Sequence, residues 1–209
     1  MKYKIFDNFF DDQDFKELEQ IQVSDIKSDK LKIYHNKISK DGTIEVNECI
    51  NKEILKRLQE KYHPKAIKIL EELYPEKVDL YEFSEFHIIA TGSNYKFPVH
   101  DDIPSKLLSG VVYINPEKNK GTMFFKDNKG NGKDVVDWKK NRAVFFSRKE
   151  RETWHSYEGD GKSSRVALVY NLMTNKIKDV CKVENKSYLI SLIRFKLNPY
   201  IYRFFGFLI

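Results

Sequence analysis

The stretch 80–90, LYEFSEFHIIA, is where the chain changes its period. Before it, apolar residues recur at helical intervals. From about residue 79 onward, short runs rich in β-branched and aromatic side chains follow one another, separated by turn signals. Downstream these runs are LLSGVVYINP (107–116), GTMFFKDNKGNGKDVVDW (121–138), RAVFFS (142–147), TWHSY (153–157) and SRVALVYNLM (164–173). The clusters KDNKGNGKD (126–134) and EGDGKSS (158–164) read as hairpin connections. Many short strands preceded by helices predict a β-sandwich or jelly roll with a helical layer outside it.

Upstream, DDQDFKELEQIQ (11–22) carries acids in its first turn and apolar residues at Phe15, Leu18 and Ile21. A second helical segment, residues 51–77, spaces Ile54, Leu55, Leu58 and Tyr62 along one side. Pro64 is expected to interrupt it before Ile67, Leu70 and Leu73 resume the pattern. The 209 residues are 41% hydrophobic and 33% charged, which suits one soluble domain with a proper core. Its expected parts are a helical layer over about 1–77, a jelly-roll core over about 78–175 and a basic, apolar tail over about 176–209. No internal repeat or low-complexity linker divides it.

Cys49 and Cys181 are too few and too distant for a cysteine zinc site or a disulfide framework, so a reducing, cytoplasmic setting is expected. The first fifteen residues have no long apolar run and meet an acid at Asp7, unlike a signal peptide. Of the net charge of +6, the tail accounts for most: residues 176–209 hold seven Lys/Arg and two acids. A basic tail is not a basic groove, so no nucleic-acid partner is expected. Within the tail, SYLISLIRFKLNPYIYRFFGFLI (187–209) is apolar and aromatic, but Arg194, Lys196, Pro199 and Arg203 break it as a membrane span. It reads as a helix covering the outer face of the sheet or making a dimer contact. The other reading is a peripheral membrane contact through apolar residues beside positive charge.

The chain has five histidines. His35 and His63 lack partners at ligand spacing, and His87 lies in a strand run where a hydrogen-bonded sheet histidine is the plainer reading. His100 opens the triplet HDD (100–102). In an extended segment residues i and i+2 share a face, so His100 and Asp102 point together and Asp101 points away, toward the rim. His155, in another strand run, can supply a third ligand. Two histidines and one carboxylate on a facial triangle are the ligand set of non-heme Fe(II) oxygenases, leaving coordination positions open. Ten residues further, alternation puts Arg165, Ala167, Val169 and Asn171 on one strand face. A guanidinium inside a sandwich needs a partner, and its own strand face offers no acid. A bound carboxylate held bidentately fills that role.

The ordered set HDD, VVYIN, KGTMFF, NRAVFF and WHSY, with Arg165 ten residues after the distal histidine, resembles the 2-oxoglutarate- and Fe(II)-dependent dioxygenases, in particular the prolyl 4-hydroxylase-like branch. The likeness spans about residues 80–173. It implies a mainly β fold, a double-stranded β-helix (jelly-roll, cupin-like) with N-terminal supporting helices; the helical tail completes the expected architecture. It also implies that His100, Asp102 and His155 hold Fe(II), that Arg165 pairs with the distal carboxylate of 2-oxoglutarate, and that Tyr113 hydrogen-bonds the same carboxylate. The implied reaction consumes O2, with ascorbate as accessory reductant, releases succinate and CO2, and hydroxylates an unactivated C–H bond. A second tyrosine common in related hydroxylases, on the strand before HDD, is replaced here by Ile or Ala, which removes any basis for prolyl specificity. The substrate, a small molecule or a peptide, is unassigned; candidate substrate residues are Tyr95, Lys96, Lys106, Trp154 and Asn171. The alternative reading is a catalytically silent cupin-like binding or sensing protein.

Overall fold

A computed structural model describes residues 2–47 and 49–205. In chain order, β1 (Lys4–Phe6) precedes α1 (Asp12–Glu19), and three short strands follow: β2 (Leu31–Tyr34), β3 (Lys37–Ser39) and β4 (Ile44–Glu45). The long helix α2 (Lys52–Leu73) leads through a 3-10 turn at Pro75–Leu80 into β5 (Phe83–Thr91), β6 (Lys96–His100) and β7 (Lys106–Asn115). Next come β8 (Met123–Phe125), β9 (Asp134–Val135), β10 (Ala143–Phe146), β11 (Trp154–Glu158) and β12 (Arg165–Met173). Two helices close the described chain, α3 (Ile177–Val183) and α4 (Tyr188–Phe205).

The strands form two antiparallel sheets. The larger runs β1-β10-β7-β12-β5-β3-β4, with β2 also paired to β5; the smaller runs β6-β11-β8-β9. This is the expected jelly-roll with helices on one side. Alternation along β5 and β12 sorts their side chains between two surroundings. Phe86, Ile88, Leu168 and Tyr170 are fully buried against α2, whose Leu55, Leu58 and Leu70 are equally buried. Each such side chain contributes about 1.5–3 kcal/mol on burial. The alternate residues, Glu85, His87 and Ile89 on β5 and Arg165, Ala167, Val169 and Asn171 on β12, face the space between the sheets.

Two expectations are corrected. Pro64 does not interrupt the second helix: α2 runs unbroken through it, starting at Asn51, whose side chain accepts a hydrogen bond from the Ile54 N–H. Pro64 and Glu60 both lie on the exposed side. The Glu60 carbonyl that loses its helical donor can therefore be hydrated. The N-terminal third is also not purely helical, because β1–β4 extend the larger sheet at both ends. Strands of two to four residues such as KIF and KIS are too short to display a period.

Candidate metal centre and its cavity

His100 ends β6 and His155 lies on β11, and the two are direct cross-strand partners in the smaller sheet, with ring centroids 4.2 Å apart. Asp102 follows just after the strand. Its Oδ1 is 4.0 Å from His100 Nε2 and its Oδ2 is 4.0 Å from His155 Nε2. One donor atom from each of the three residues lies within 4.8 Å of the others. Each imidazole Nδ1 sits 3.0 Å from a main-chain carbonyl two residues earlier, Pro98 O for His100 and Thr153 O for His155. These carbonyls can only accept, so they fix the tautomer with Nδ1 protonated and turn both Nε2 lone pairs toward Asp102.

Electrostatics favour the ligand forms of all three. Burial, reinforced by neighbouring His155, pulls His100 down to about 3, and burial likewise lowers His155. Burial works against the Asp102 anion. Lys106 and the two imidazoles nevertheless hold its carboxyl well below the usual carboxylate range. Lys106 Nζ donates to Asp102 Oδ1 at 2.6 Å, and Ser109 Oγ donates to Oδ2 at 2.6 Å. Two neutral imidazoles and one oriented carboxylate fit a divalent first-row metal such as Fe(II), and leave coordination positions for other ligands.

The triad faces a cavity of about 350 Å³. Its floor is the inner face of the larger sheet, where β12 lies between β5 and β7 and β7 adds Ser109 and Val111. Arg165 lies at one end, paired in register with Thr91. Asn171, paired with Glu85, lies six residues along β12, roughly 20 Å away in an extended strand. Arg165 is 3% exposed. It donates to Lys120 O at 3.2 Å and stacks against Tyr157, with its guanidinium carbon 4.2 Å from the ring centroid. Among the described residues no carboxylate pairs with it. Burial lowers its pKa without neutralising it. A buried cation without a counter-ion, opening on a cavity, fits an acidic co-substrate.

Tyr113 stands elsewhere than the resemblance implied. It is fully buried, stacked on Trp138 (4.5 Å between centroids, 15° between planes), and does not line the cavity. Its hydroxyl accepts from the Thr122 N–H at 2.8 Å and donates to Thr122 Oγ1 at 3.0 Å. Thr122 is the residue that reaches the cavity, and its own hydroxyl proton stays available.

Of the five candidate substrate residues, Lys106 and Asn171 line the cavity and the other three do not. Trp154 points to the opposite side of β11 from His155. It packs with Met123 and Phe125 and donates its indole N–H to Arg151 O. Tyr95 and Lys96 lie at the far end of β6, and Lys96 is exposed. Asp101 does point away from the metal ligands, but not to a rim. It is 6% exposed, accepts from the Arg151 N–H at 2.8 Å and is ion-paired by both terminal nitrogens of Arg194.

A polar group at the Asn171 end went unread in the sequence. His87 Nδ1 accepts the Asn36 N–H, leaving its Nε2, which lies 3.1 Å from Glu85 Oε2, to donate. Asn171 Nδ2 donates to the same oxygen at 3.1 Å, while its Oδ1 is buried without a partner. Burial opposes the Glu85 anion, but the His87 hydrogen bond holds its pKa below the usual value. His87 is thus hydrogen-bonded within the sheet, as expected, yet it also faces the cavity. The alternation of β5 carries this signal, since Glu85 and His87 occupy the same face as Ile89.

No protein-family model matches the chain, and no curated protein matches it by sequence. Solved structures do match. A prolyl-4-hydroxylase from Pseudomonas putida superposes with a TM-score of 0.54 at 13% identity, covering 83% of this chain and 92% of that one. A Trichoplax adhaerens prolyl hydroxylase, solved with a hypoxia inducible factor peptide, gives 0.55 at 16% identity, covering 84% and 85%. A Burkholderia pseudomallei oxidoreductase of the 2OG-Fe(II) oxygenase family gives 0.54 at 14%, covering 82% and 84%. The fold of this chain is the one these oxygenases share.

Proposed function

We propose that this protein is a 2-oxoglutarate- and Fe(II)-dependent oxygenase that hydroxylates a C–H bond of a substrate held at the Glu85–Asn171 end of the cavity. One observation carries the reading: a His-Asp-His ligand set and a buried, carboxylate-free Arg165 open on the same cavity. A hydrolase using the same three ligands would have no use for that cation.

His100, Asp102 and His155 would hold the metal through Nε2, a carboxylate oxygen and Nε2. When bound, Fe(II) with 2-oxoglutarate and O2 supplies oxidative decarboxylation to succinate and CO2 coupled to C–H hydroxylation. The chain's own residues do the rest. Arg165 receives the distal carboxylate of the co-substrate, and Thr122, oriented by Tyr113, donates its hydroxyl proton beside it. Ser109 and Lys106 keep the Asp102 carboxylate oriented and charge-balanced. Ile89, Val111, Phe146 and Ala167 keep much of the wall apolar, which limits water at the reacting carbon. At the far end His87 Nε2 and one N–H of Asn171 Nδ2 are used on a single oxygen of Glu85. The second Glu85 oxygen and Asn171 Oδ1 remain as acceptors, suiting a substrate with N–H or O–H groups. Prolyl specificity is not carried over from the structural neighbours.

Succinate release from 2-oxoglutarate in the presence of Fe(II), ascorbate and air tests the proposal. The parent protein should form succinate. Asp102→Ala and His155→Ala should lose both metal and turnover, and Arg165→Met should bind metal normally while the KM for 2-oxoglutarate rises on the order of 100-fold. Turnover by Asp102→Ala at the parent rate would sink the assignment.

A further inference from the structure

Helix α4 has its polarity reversed. A helix on a soluble domain turns apolar residues inward and polar ones outward. Here the fully buried positions include Ser191 and Arg194, at 1% and 3% exposure. Ser191 Oγ hydrogen-bonds Glu150, and Arg194 pairs with Asp101 and Glu150. Outward stand Leu189, Ile190, Ile193, Leu197 and Tyr200, each 46–64% exposed. They make up half of the exposed large hydrophobic residues among those described. At about 100° per residue they occupy one arc of roughly 100°, so they form a stripe and not a scatter.

Charge identifies what the stripe fits. Lys196 and Arg203, both exposed, are seven residues apart and border one edge of the arc. No Asp or Glu occurs from residue 185 to 209. A second copy of the chain would bring the same cations with no acids to meet them, which opposes self-association through this face. A bilayer with anionic headgroups offers an apolar layer and negative charge together. No described helix is long and apolar enough to cross a membrane, which fits a helix lying in the interface.

We propose that the outer face of α4 docks on the surface of an anionic phospholipid bilayer, its apolar stripe entering the headgroup boundary and Lys196 and Arg203 meeting the headgroups. The inner face stays on the protein through Arg194 and Ser191, so docking requires no unfolding of the helix.

Co-sedimentation of the full chain with vesicles tests this without any turnover measurement. Binding is expected to vesicles of phosphatidylcholine mixed with phosphatidylserine and not to phosphatidylcholine alone, and it should fall as salt rises. Ile193→Ser with Leu197→Ser should abolish it, and Lys196→Glu with Arg203→Glu should lower the partition coefficient roughly tenfold or more. All four positions face solvent, and both double variants should melt with the parent. Absence of binding to the anionic vesicles overturns the proposal. So does binding that neither double variant weakens, or gel filtration showing an Ile193- and Leu197-dependent dimer without vesicle binding.

Discussion

Asp101 and Asp102 are adjacent and chemically identical, yet each answers to a different part of the molecule. Asp102 serves the ligand set, while Asp101 is the counter-ion of Arg194, 93 positions away. Asp101→Asn should leave the three ligands able to bind one equivalent of metal, because none of them moves to the solvent side. It should also strand half of a buried ion pair, at a cost of about 3 kcal/mol and a Tm lower by roughly 6–12 °C. Thermal melts beside a metal titration separate the two effects. Tyr113→Phe should likewise act on stability more than on co-substrate affinity. It leaves the buried Thr122 N–H without an acceptor, at about 1–3 kcal/mol; a large loss of 2-oxoglutarate affinity at unchanged Tm would return Tyr113 to direct contact. Alternation made His100, Asp102 and Arg165 legible, because it sorts side chains by face. It says nothing of which distant side chain a face will meet. That is why Asp101 is expected at the rim. Trp154, one residue before His155, faces away as alternation itself requires, and the Tyr113 contact is what the resemblance implies, not what alternation shows.

At the scale of elements, α2 shows how far a local rule can be overridden. Its buried face of Leu55, Leu58, Ala66, Ile69 and Leu70 is continuous across Pro64, and packing against the sheet outweighs one lost hydrogen bond on the wet side. Pro64→Ala should therefore stabilise the protein, by about 1–3 kcal/mol, as a higher denaturant midpoint with unchanged slope. A lower midpoint would mean that Pro64 contributes a contact of its own. The long strands β5, β7 and β12 were readable because nine or ten residues establish a period. β1 to β4 were not, since they owe their conformation to an existing sheet edge.

Across the whole molecule, buried charge ties the chain ends to the side of the fold that carries the His-Asp-His set. Lys77 and Arg148 both pair with Glu184, Arg148 donates to the Asp102 carbonyl, and Glu150 bonds Ser191 and pairs with Arg194. Near the N-terminus, Asp7 is gripped by Arg142 and Lys139. Hydrogen bonds from those two cations hold the Asp7 carboxyl far below its ordinary 3.8. At Glu150 burial opposes the anion, but Ser191, Arg148 and Arg194 lower it below 4.5. With folded values depressed, the unfolded chain takes up protons first. The stability these groups supply is present above about pH 4.5 and drains away as pH falls below it. Tm measured from pH 7 downward should decline most steeply below that point. Neutralising Asp7 by Asp7→Asn should flatten the decline.

The pairing of His100 with His155 has a further consequence, in the entropy of the unfolded chain. These residues sit at the two ends of a long loop that includes β7, β8, β9 and β10, and only folding brings them side by side. An ion grasping both imidazoles and Asp102 is then a detachable cross-link. It closes that loop without a covalent bond, and its whole binding energy counts toward the folded state. Stripping metal with a chelator should lower Tm, and restoring it should raise Tm with the logarithm of free metal concentration. The abundance of the folded protein would then follow the supply of the metal as well as its activity.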